Sequence, residues 1–467
     1  MLRVAPLISV LLPALLFGAG DLRTFTSSDG REIRARIIET TGDSVEIERT
    51  DGRRFTVPLG RFSRADRDFI AAWAAESESK PESTPLREAL NGRLGLPLFV
   101  DGSLWDDPPE EVGKRLGWPR ESATRTQSSY RRYHTPEDRI FGARPFSSAL
   151  YGERGAVRRI SIVFANKGDF FAANPGTLDL DRLNDRIAAD CEAVEAGLSA
   201  LLGAGDRQSF GEGSTYRRVS RWDWSGHAFI LSEIEDEALS LLIVTEEAAD
   251  LKGRAEKLRA SQLADLLAGN VLRQPNGDVL IDDIPMVDQG PKGYCVPATF
   301  ERYLRYMDIP ADMYLLAASG QTGMSGTVME TFIAGVDRDI GRYGRDLDEV
   351  RLRMAIRNIA RHIDRGVPIL WLHYSTEAFN RLANSQTIAR ATSEDFAEYE
   401  KQLERFREAG ESLSPDPNFG HISMIVGYNA DTGEIAVSDS WGPDYERRWI
   451  CIEAGEAVGR RTYVIDL

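Results

Sequence analysis

The sequence predicts an α+β multidomain protein, and three observations lead to this prediction. The chain has 467 residues, which at roughly 150 residues per domain suggests about three domains. Its N-terminal part shows period-two alternation between turn signals, whereas later segments mix strand-like runs with amphipathic helices. Hydrophobic residues make up 42% and charged residues 28% of the chain, a composition typical of globular rather than disordered or fibrous proteins.

Composition also excludes several classes of function. The 57 Lys and Arg residues against 73 Asp and Glu give a formal net charge of −16. Nucleic-acid binding, which needs clustered cations, is therefore not expected. The chain has 3 Cys and 5 scattered His residues, which argues against a disulfide scaffold and predicts no metal site. The sequence has no glycine-rich phosphate loop, and we expect no cofactor.

Residues 1–20 have the pattern of a secretory signal peptide. Arg3 precedes an apolar run from Val4 to Phe17, and small residues follow at 18–20. The apolar run is short for a bilayer span, so cleavage is favoured over the alternative of an uncleaved membrane anchor. We therefore expect an exported protein, periplasmic or extracellular, with no membrane span after signal removal.

Residues 22–74 are predicted to form an SH3-like β-barrel. Apolar residues alternate along short strands, and a helix from Ser63 to Trp73 closes the segment. The strands are separated by the hairpin turn signals Ser28-Asp29-Gly30, Gly42-Asp43 and Asp51-Gly52.

This segment also resembles a small homology domain first named in an actin-assembly adaptor, which recurs near the N-terminus of exported bacterial proteins. The matching features are Arg23-Thr24-Phe25, Asp29-Gly30, Asp51-Gly52-Arg53, Val57-Pro58-Leu59 and the stretch from Phe62 to Asp66. The resemblance implies a protein ligand for the barrel, either a peptide or a neighbouring domain.

Two segments separate the barrel from the C-terminal part. Residues 75–92 are polar, rich in Glu and Ser with two Pro, and are predicted to be a linker. Residues 93–270 are predicted to form an α+β domain of unknown role. Its clearest element is an amphipathic helix over 178–202, with Cys191 on the apolar stripe.

The segment around Cys295 carries the first chemical signal. Apolar residues at i, i+3, i+4 and i+7 from Phe300 predict a helix that begins at Cys295, with Pro297 in its first turn. The helix dipole favours a thiolate at this position. Gln289 lies six residues upstream, across a Gly/Pro turn, and could fold back to join the Cys295 backbone N–H in an oxyanion hole.

The partners for such a cysteine lie near the C-terminus. A strand from His421 to Tyr428 and a second strand over 434–438 flank a turn signal, and the midpoint between His421 and Asp439 falls in that turn. This hairpin predicts that His421 and Asp439 lie opposite each other, with Cβ atoms roughly 5 Å apart. The carboxylate would then orient the imidazole, and Trp441 could shield their hydrogen bond from water.

Taken together, residues 280–467 resemble papain-like cysteine peptidases, and most closely the branch that trims double-glycine leaders from bacteriocins. The resemblance rests on the order of Gln289, Cys295, Gly420-His421, Gly427-Tyr428 and Asp439-Ser440-Trp441-Gly442. It implies a papain-like fold and a peptide or protein substrate. It also implies that Cys295 is the nucleophile, His421 the base and then acid, Asp439 its orienter and Gln289 the oxyanion donor.

Three functional hypotheses follow. The first is an exported cysteine peptidase that hydrolyses peptide bonds through an acyl-enzyme. The second is a non-catalytic peptide- or protein-binding module on the same fold, and the third is an acyl transferase that forms amide or isopeptide bonds with the same residues. Two further features stay open. A disulfide between Cys295 and Cys451 would silence the thiol, and the charged helix over 393–409 could be a lid, a partner surface or simply a solvated face.

Overall fold

The computed structural model describes residues 22–466 except 29, 50–52, 80–83, 101–102, 174–178, 255–256, 291–292, 321, 323–326, 328 and 394–395. The predicted signal peptide therefore lies outside the described residues. The chain divides into two compact units, one ending at Leu86 and the other running from Arg87 to Leu467. Both contain helices and antiparallel strands, so the architecture is mixed α/β. Within the described ranges, no helix is long and apolar enough to cross a membrane.

The first unit is a four-stranded antiparallel meander in the order β1-β2-β3-β4. Its elements are β1 (Arg23–Thr26), β2 (Glu32–Thr41), β3 (Ser44–Arg49), β4 (Arg54–Pro58) and α1 (Arg64–Ser79). Phe25, Val45 and Ile47 point into a small core that also buries Ile70 of α1. β1 and β4 are not paired in this order, but the chain after β4 returns to the end of β1: Ser27 forms an isolated antiparallel bridge with Phe62, and the Ser63 N–H donates to the Thr26 carbonyl at 2.8 Å. The SH3-like barrel stays a prediction.

The segment predicted as a linker, residues 75–92, contains the end of α1 and most of α2 (Thr84–Leu94). Further along, Asn91 on α2 donates to the carbonyl of Phe99 at 2.7 Å and accepts from the Phe99 N–H at 2.9 Å. These paired hydrogen bonds fix how the chain leaves α2 within the second unit.

The second unit contains two eight-stranded sheets, of which the first has the order β5-β6-β7-β8-β12-β11-β10-β9. Helix α5 packs on this middle sheet through Leu183, Ile187, Val194 and Leu198, which confirms the amphipathic helix predicted over 178–202. The elements are α3 (Pro109–Leu116), β5 (Arg120–Ala123), β6 (Gln127–Tyr133), β7 (Ser147–Glu153), β8 (Ala156–Asn166), α4 (Lys167–Ala173), α5 (Leu180–Leu202), β9 (Asp206–Phe210), β10 (Arg217–Trp224), β11 (His227–Ile234), β12 (Ala238–Thr245) and α6 (Glu246–Asp250).

The second sheet, which carries the predicted site, has the path β13-β14-β17-β16-β20-β15, with β18 paired to β17 and β19 paired to β18. Its strands are β13 (Val271–Arg273), β14 (Asp278–Ile281), β15 (Asp346–Val350), β16 (Ile369–Tyr374), β17 (Gly420–Asn429), β18 (Glu434–Ser438), β19 (Arg448–Cys451) and β20 (Gly459–Asp466). The helices around it are α7 (Ala260–Ala268), α8 (Cys295–Tyr306), α9 (Met313–Ser319), α10 (Met329–Arg342), α11 (Ile356–Ile363), α12 (Glu377–Thr392), α13 (Phe396–Glu411) and α14 (Ile452–Val458).

The two sheets of this unit share buried contacts. Val163 of the middle sheet belongs to one apolar cluster with Tyr294, Met313 and Tyr314 from the C-terminal part. On β7, the Ser147 hydroxyl lies 2.8 Å from the Tyr314 hydroxyl. The middle sheet therefore packs directly on the helices around Cys295.

The charged helix predicted over 393–409 corresponds to α13. Its buried Tyr399 and Leu403 pack against Cys451, and the Tyr399 hydroxyl donates to the carboxylate of Glu434 on β18. Only one face of α13 is buried, so the helix is a packed element with a solvated outer face.

Candidate active site

Cys295 is the first residue of α8, as predicted. The thiol is free and partly exposed, and its interaction with His421 contributes to the raised pKa of that imidazole. A sulfur at this position faces the unpaired N–H groups of the first helical turn, which stabilise negative charge. The preceding loop turns at Gly290, whose φ of 68° lies in the left-handed region that favours glycine.

The start of α8 is held by the residue just before the cysteine. Tyr294 is buried, and its hydroxyl accepts a hydrogen bond from the Gly168 N–H at 3.2 Å. A Cβ on Gly168 would lie 2.3 Å from the Tyr294 ring, so the close approach requires glycine there. The middle sheet and α4 thus fix the residue next to Cys295.

His421 is the second residue of β17 and lies against the side chains of Asp439 and Trp441. Its Nε2 lies 3.0 Å from Oδ1 of Asp439, and its ring stacks on Trp441 with centroids 4.6 Å apart. Burial alone would lower the pKa of His421, but the hydrogen bonds with Asp439 and Cys295 and the charge of the Cys295 thiolate outweigh it and raise the pKa to about 9. The imidazole is therefore held as an imidazolium beside the sulfur.

The hairpin that joins His421 to Asp439 forms, but its predicted register is wrong. Met424 pairs with Ser438, so continuing the register places Asp439, just past β18, opposite Ser423 rather than His421. The closing turn starts later than predicted because the Asn429 side chain accepts the N–H groups of Asp431 and Thr432. Asp439 reaches His421 along the diagonal of the hairpin instead.

Asp439 is fully buried and its two carboxylate oxygens have different partners. Oδ1 accepts from His421 and from the Ser423 hydroxyl at 2.5 Å. Oδ2 accepts from Nε and Nη2 of Arg448 at 2.9 and 2.7 Å. Burial would raise the pKa of Asp439, yet the charge of Arg448 and the hydrogen bonds from His421 and Ser423 hold it well below its usual range. The carboxylate is thus permanently ionised at neutral pH.

His373 on β16 extends this network away from the sulfur. Its Nε2 lies 2.8 Å from the Ser423 hydroxyl oxygen, and because that hydroxyl donates to Asp439, Nε2 donates to it. The ring stacks on Trp371 with centroids 4.0 Å apart. Burial and the charge of His421 hold the pKa of His373 well below its ordinary value, so this histidine is neutral.

The predicted oxyanion donor, Gln289, lies against the residue that follows Asp439. The Gln289 N–H donates to the carbonyl of Ser440 at 2.8 Å, and its side-chain Oε1 accepts from the Ser440 hydroxyl at 2.9 Å. That hydroxyl also lies 3.4 Å from the hydroxyl of Thr299, one turn into α8. Ser440 therefore links Gln289 to the helix that begins at Cys295, with the Gln289 NH₂ as the donor side of the amide.

The chain just before Gln289 is fixed from the middle sheet. Ser122 accepts the N–H of Met286 at 2.9 Å, and the carboxylate of Glu121 accepts the N–H of Asp288 at 3.1 Å. Glu121 is itself held by Arg131 at 2.6 Å, with both side chains buried. These contacts fix the approach to Gln289 from a part of the chain more than 150 residues away.

Sequence analysis missed Arg448, Ser423 and Ser440. Ser423 had a usable signal, because it lies two residues from His421 and so on the same face of the strand. Arg448 is brought to Asp439 by β19, which pairs with β18 after the Gly442-Pro443 turn. That pairing depends on packing that the local pattern does not show.

One group of side chains lies close enough to hold a cation: the ligand atoms of His373, His421 and Asp439 are within 4.8 Å of one another. Their hydrogen bonds indicate a role in orienting side chains rather than in binding a cation. Nε2 of each histidine is engaged in the network that ends on Asp439, so the arrangement serves to orient His421.

The other two cysteines are free and stand apart from this site. Cys451 is buried on β19, where burial and the charge of Glu434 raise its pKa to about 12, and Gln386 donates to its sulfur at 3.2 Å. Burial and the charge of Glu233 likewise raise the pKa of Cys191 to about 12. The structure contains no Cys295–Cys451 disulfide, and neither of these thiols has the features of a nucleophile.

Comparison with known proteins bears on this part of the chain alone. Curated proteins give no match to the chain. Residues 281–458, which include Cys295, His421 and Asp439, match the model of the Peptidase_C39 like family, and this similarity indicates cysteine peptidase activity for the C-terminal part of the protein.

Proposed function

We propose that the protein hydrolyses peptide bonds with Cys295 as nucleophile, His421 as general base and acid, and Asp439 as the residue that orients His421. One observation carries the proposal: a thiol at a helix start contacts an imidazole whose far nitrogen is hydrogen-bonded to a buried carboxylate. A binding module has no need for this arrangement, whereas acyl transfer to and from sulfur requires it.

The geometry supports the following sequence of steps. Because Nε2 of His421 is bonded to Asp439, Nδ1 is the nitrogen that exchanges protons with Cys295 and the substrate. The thiolate attacks the scissile carbonyl carbon, and Nδ1–H gives its proton to the leaving amine as the C–N bond breaks. Neutral His421 then takes a proton from water, the resulting hydroxide attacks the thioester, and the acid product leaves with Cys295 restored as thiolate.

Negative charge on the substrate oxygen needs donors during both attacks. We assign this role to the Cys295 backbone N–H and the NH₂ of Gln289. The hydrogen bond from Ser440 to Oε1 supports the assignment, because it sets which side of the Gln289 amide is the donor. Since the donors are fixed before the substrate arrives, little reorganisation is needed in the transition state.

The decisive test is detection of an acyl-enzyme. Incubation with a casein digest or an activated peptide ester should add an acyl mass to wild-type protein, and peptide mapping should place it on Cys295. Cys295→Ala should carry no adduct and show no cleavage, whereas the control Cys191→Ala should behave as wild type. Cleavage by Cys295→Ala at the wild-type rate would overturn the proposal.

The same thioester could pass its acyl group to an amine instead of water. Adding glycinamide to the reaction separates the two outcomes. Hydrolysis predicts free acid as the main product, and an amide as the main product would assign the site to a transferase. Absence of both adduct and product with every substrate would favour the binding module.

We further propose that residues 1–20 direct export and that residues 22–74 form an SH3-like domain with a protein ligand. The n-, h- and c-region order of the sequence supports the first proposal, and the strand meander with its closing helix supports the second. Expression in a bacterial host followed by N-terminal sequencing should find a mature chain that begins near residue 21. A chain retained in the membrane with residue 1 intact would establish an anchor instead.

A further inference from the structure

A cavity lies between the middle sheet and the helices of the C-terminal part, with a volume of about 430 Å³. None of Cys295, His421 or Asp439 lines it. Its apolar wall is built from strands on one side and helices on the other, including Phe210, Leu242, Val244, Ile309, Leu315 and Ile340. A space of this size with mostly apolar walls is typical of a small-molecule site.

Arg217 on β10 lines this cavity, and both of its hydrogen-bond acceptors are uncharged groups. Its Nε donates to the Ser232 hydroxyl at 2.7 Å and its Nη1 to the Thr215 carbonyl at 2.8 Å. Its guanidinium carbon lies 5.3 Å from the centre of the Phe210 ring. Across the described part of the chain, no carboxylate lies within ion-pair distance of this guanidinium. Burial lowers the pKa of Arg217 to about 10 although the charge of Asp312, beyond ion-pair distance, acts in the opposite direction, so the group is still a cation at neutral pH.

The nearby acids have other roles. Glu212 pairs with Arg254 at 2.7 Å. Asp312 caps α9, where Oδ1 accepts the N–H groups of Tyr314 and Leu315. A cation enclosed by apolar walls without a counter-ion is costly unless a ligand supplies the opposite charge. The cavity therefore combines a mostly apolar space with a guanidinium that has no ion-paired carboxylate among the described residues, with Asp312 acting on it only at longer range.

We propose that this cavity binds an anionic amphiphile of the fatty-acid class, with the carboxylate on Arg217 and the alkyl chain between the middle sheet and α9–α10. An alkyl chain matches the walls, whereas a peptide would bring backbone N–H and C=O groups that need polar partners. The binding site is independent of the catalytic residues, so this proposal can hold or fail whatever reaction Cys295 performs.

The test is titration calorimetry on the full mature chain with decanoate, kept below its micelle concentration. We expect one decanoate per chain, and binding of decanol, which has the same chain without the charge, at least tenfold weaker. Arg217→Gln should lower the affinity for decanoate at least tenfold and leave the affinity for decanol unchanged. Arg207→Gln, an exposed arginine of the same sheet outside the cavity, is the matched control and should bind decanoate as wild type does.

A second variant tests the apolar part of the site without removing the arginine. Leu315→Trp, at a partly exposed position of α9, should fill the cavity and lower the affinities for decanoate and decanol together. The melting temperature should stay close to that of wild type. The proposal is overturned if decanoate does not bind, if decanol binds equally well, or if both variants bind decanoate as wild type does. Binding of a peptide with a hydrophobic C-terminal residue in place of decanoate would also overturn it.

Discussion

Arg448 and Asp439 form a buried ion pair in which Nε and Nη2 of the guanidinium both donate to one carboxylate oxygen, at 2.9 and 2.7 Å. The second oxygen is left for His421 and Ser423. Arg448 is fixed in turn by the side-chain oxygens of Asn380 and Asn384. The aspartate thus contacts the imidazole with one oxygen only, and Arg448 holds the carboxylate from its other oxygen.

Loss of Arg448 should destabilise the protein strongly. Arg448→Met leaves Asp439 ionised and buried without its main counter-ion, and removing one partner of such a pair costs about 3–5 kcal/mol of unfolding free energy. Urea denaturation measures the loss. Adding Asp439→Asn removes the stranded charge and should recover part of the stability but none of the turnover. Wild-type stability in the single variant would contradict this account.

The raised pKa of His421 predicts how stability depends on pH. The protonated form is favoured in the folded state, so its contribution is complete below the ordinary value of 6.5 and is lost as the pH rises through about 9. The free energy of unfolding of wild type should therefore fall between these values relative to that of His421→Gln. Urea titrations at five pH values measure this difference, and parallel curves for the two proteins would refute the prediction.

Alkylation of Cys295 tests whether His421 activates its thiol. With iodoacetamide at pH 6.5, we expect Cys295 of wild type to react at least about tenfold faster than Cys295 of His421→Ala, because the imidazolium stabilises the reactive thiolate. Cys191 and Cys451 are internal controls and should stay unlabelled at this pH. Equal rates in the two proteins would show that His421 does not activate the thiol.

Ser423 is expected to act by positioning Asp439. Ser423→Ala removes the hydroxyl between His373 and the carboxylate, at a cost of about 1–3 kcal/mol, and should lower kcat while KM stays close to wild type. The matched control is Ser147→Ala, which removes a buried hydroxyl that contacts Tyr314. It should lose similar stability with kcat unchanged. Equal losses of kcat in the two variants would show that Ser423 contributes to stability only and does not position Asp439.

The assignment of Gln289 as an oxyanion donor predicts that its removal lowers kcat and leaves KM nearly unchanged. Gln289→Ala should reduce kcat about 10²–10³-fold with little change in KM, because the amide is used mainly in the transition state. Ser440→Ala should lower kcat less, because this variant keeps the Gln289 amide and removes only the hydrogen bond that orients it. A change in KM alone would indicate that Gln289 binds the substrate instead.

Features set by neighbouring residues could be predicted from the sequence. The start of α8 at Cys295 follows from local helix periodicity and Pro297, and the hairpin of β17 and β18 follows from its turn signal. The prediction that His421 and Asp439 lie close together holds although the predicted register is wrong. Asp439 lies opposite Ser423, which shares a face of β17 with His421, and the carboxylate reaches His421 along the diagonal.

Features set by packing between distant segments could not be predicted. The bulge between Ile425 and Gly427 shifts the register by one residue, and no local signal marks it. Arg448 reaches Asp439 only once β19 has paired with β18. The contact of Glu121 with the Asp288 N–H joins residues 167 apart.

The hydrogen bonds from Ser122 and Glu121 to the chain before Gln289 have a consequence for how this activity can be moved between proteins. A fragment starting at Ile281 would keep Gln289, Cys295, His421 and Asp439, yet it would remove the acceptors of the Met286 and Asp288 N–H groups and the Gly168 contact of Tyr294. The recognisable peptidase region is thus not an autonomous module. Transplantation into another protein should succeed only with a segment that begins near Arg87.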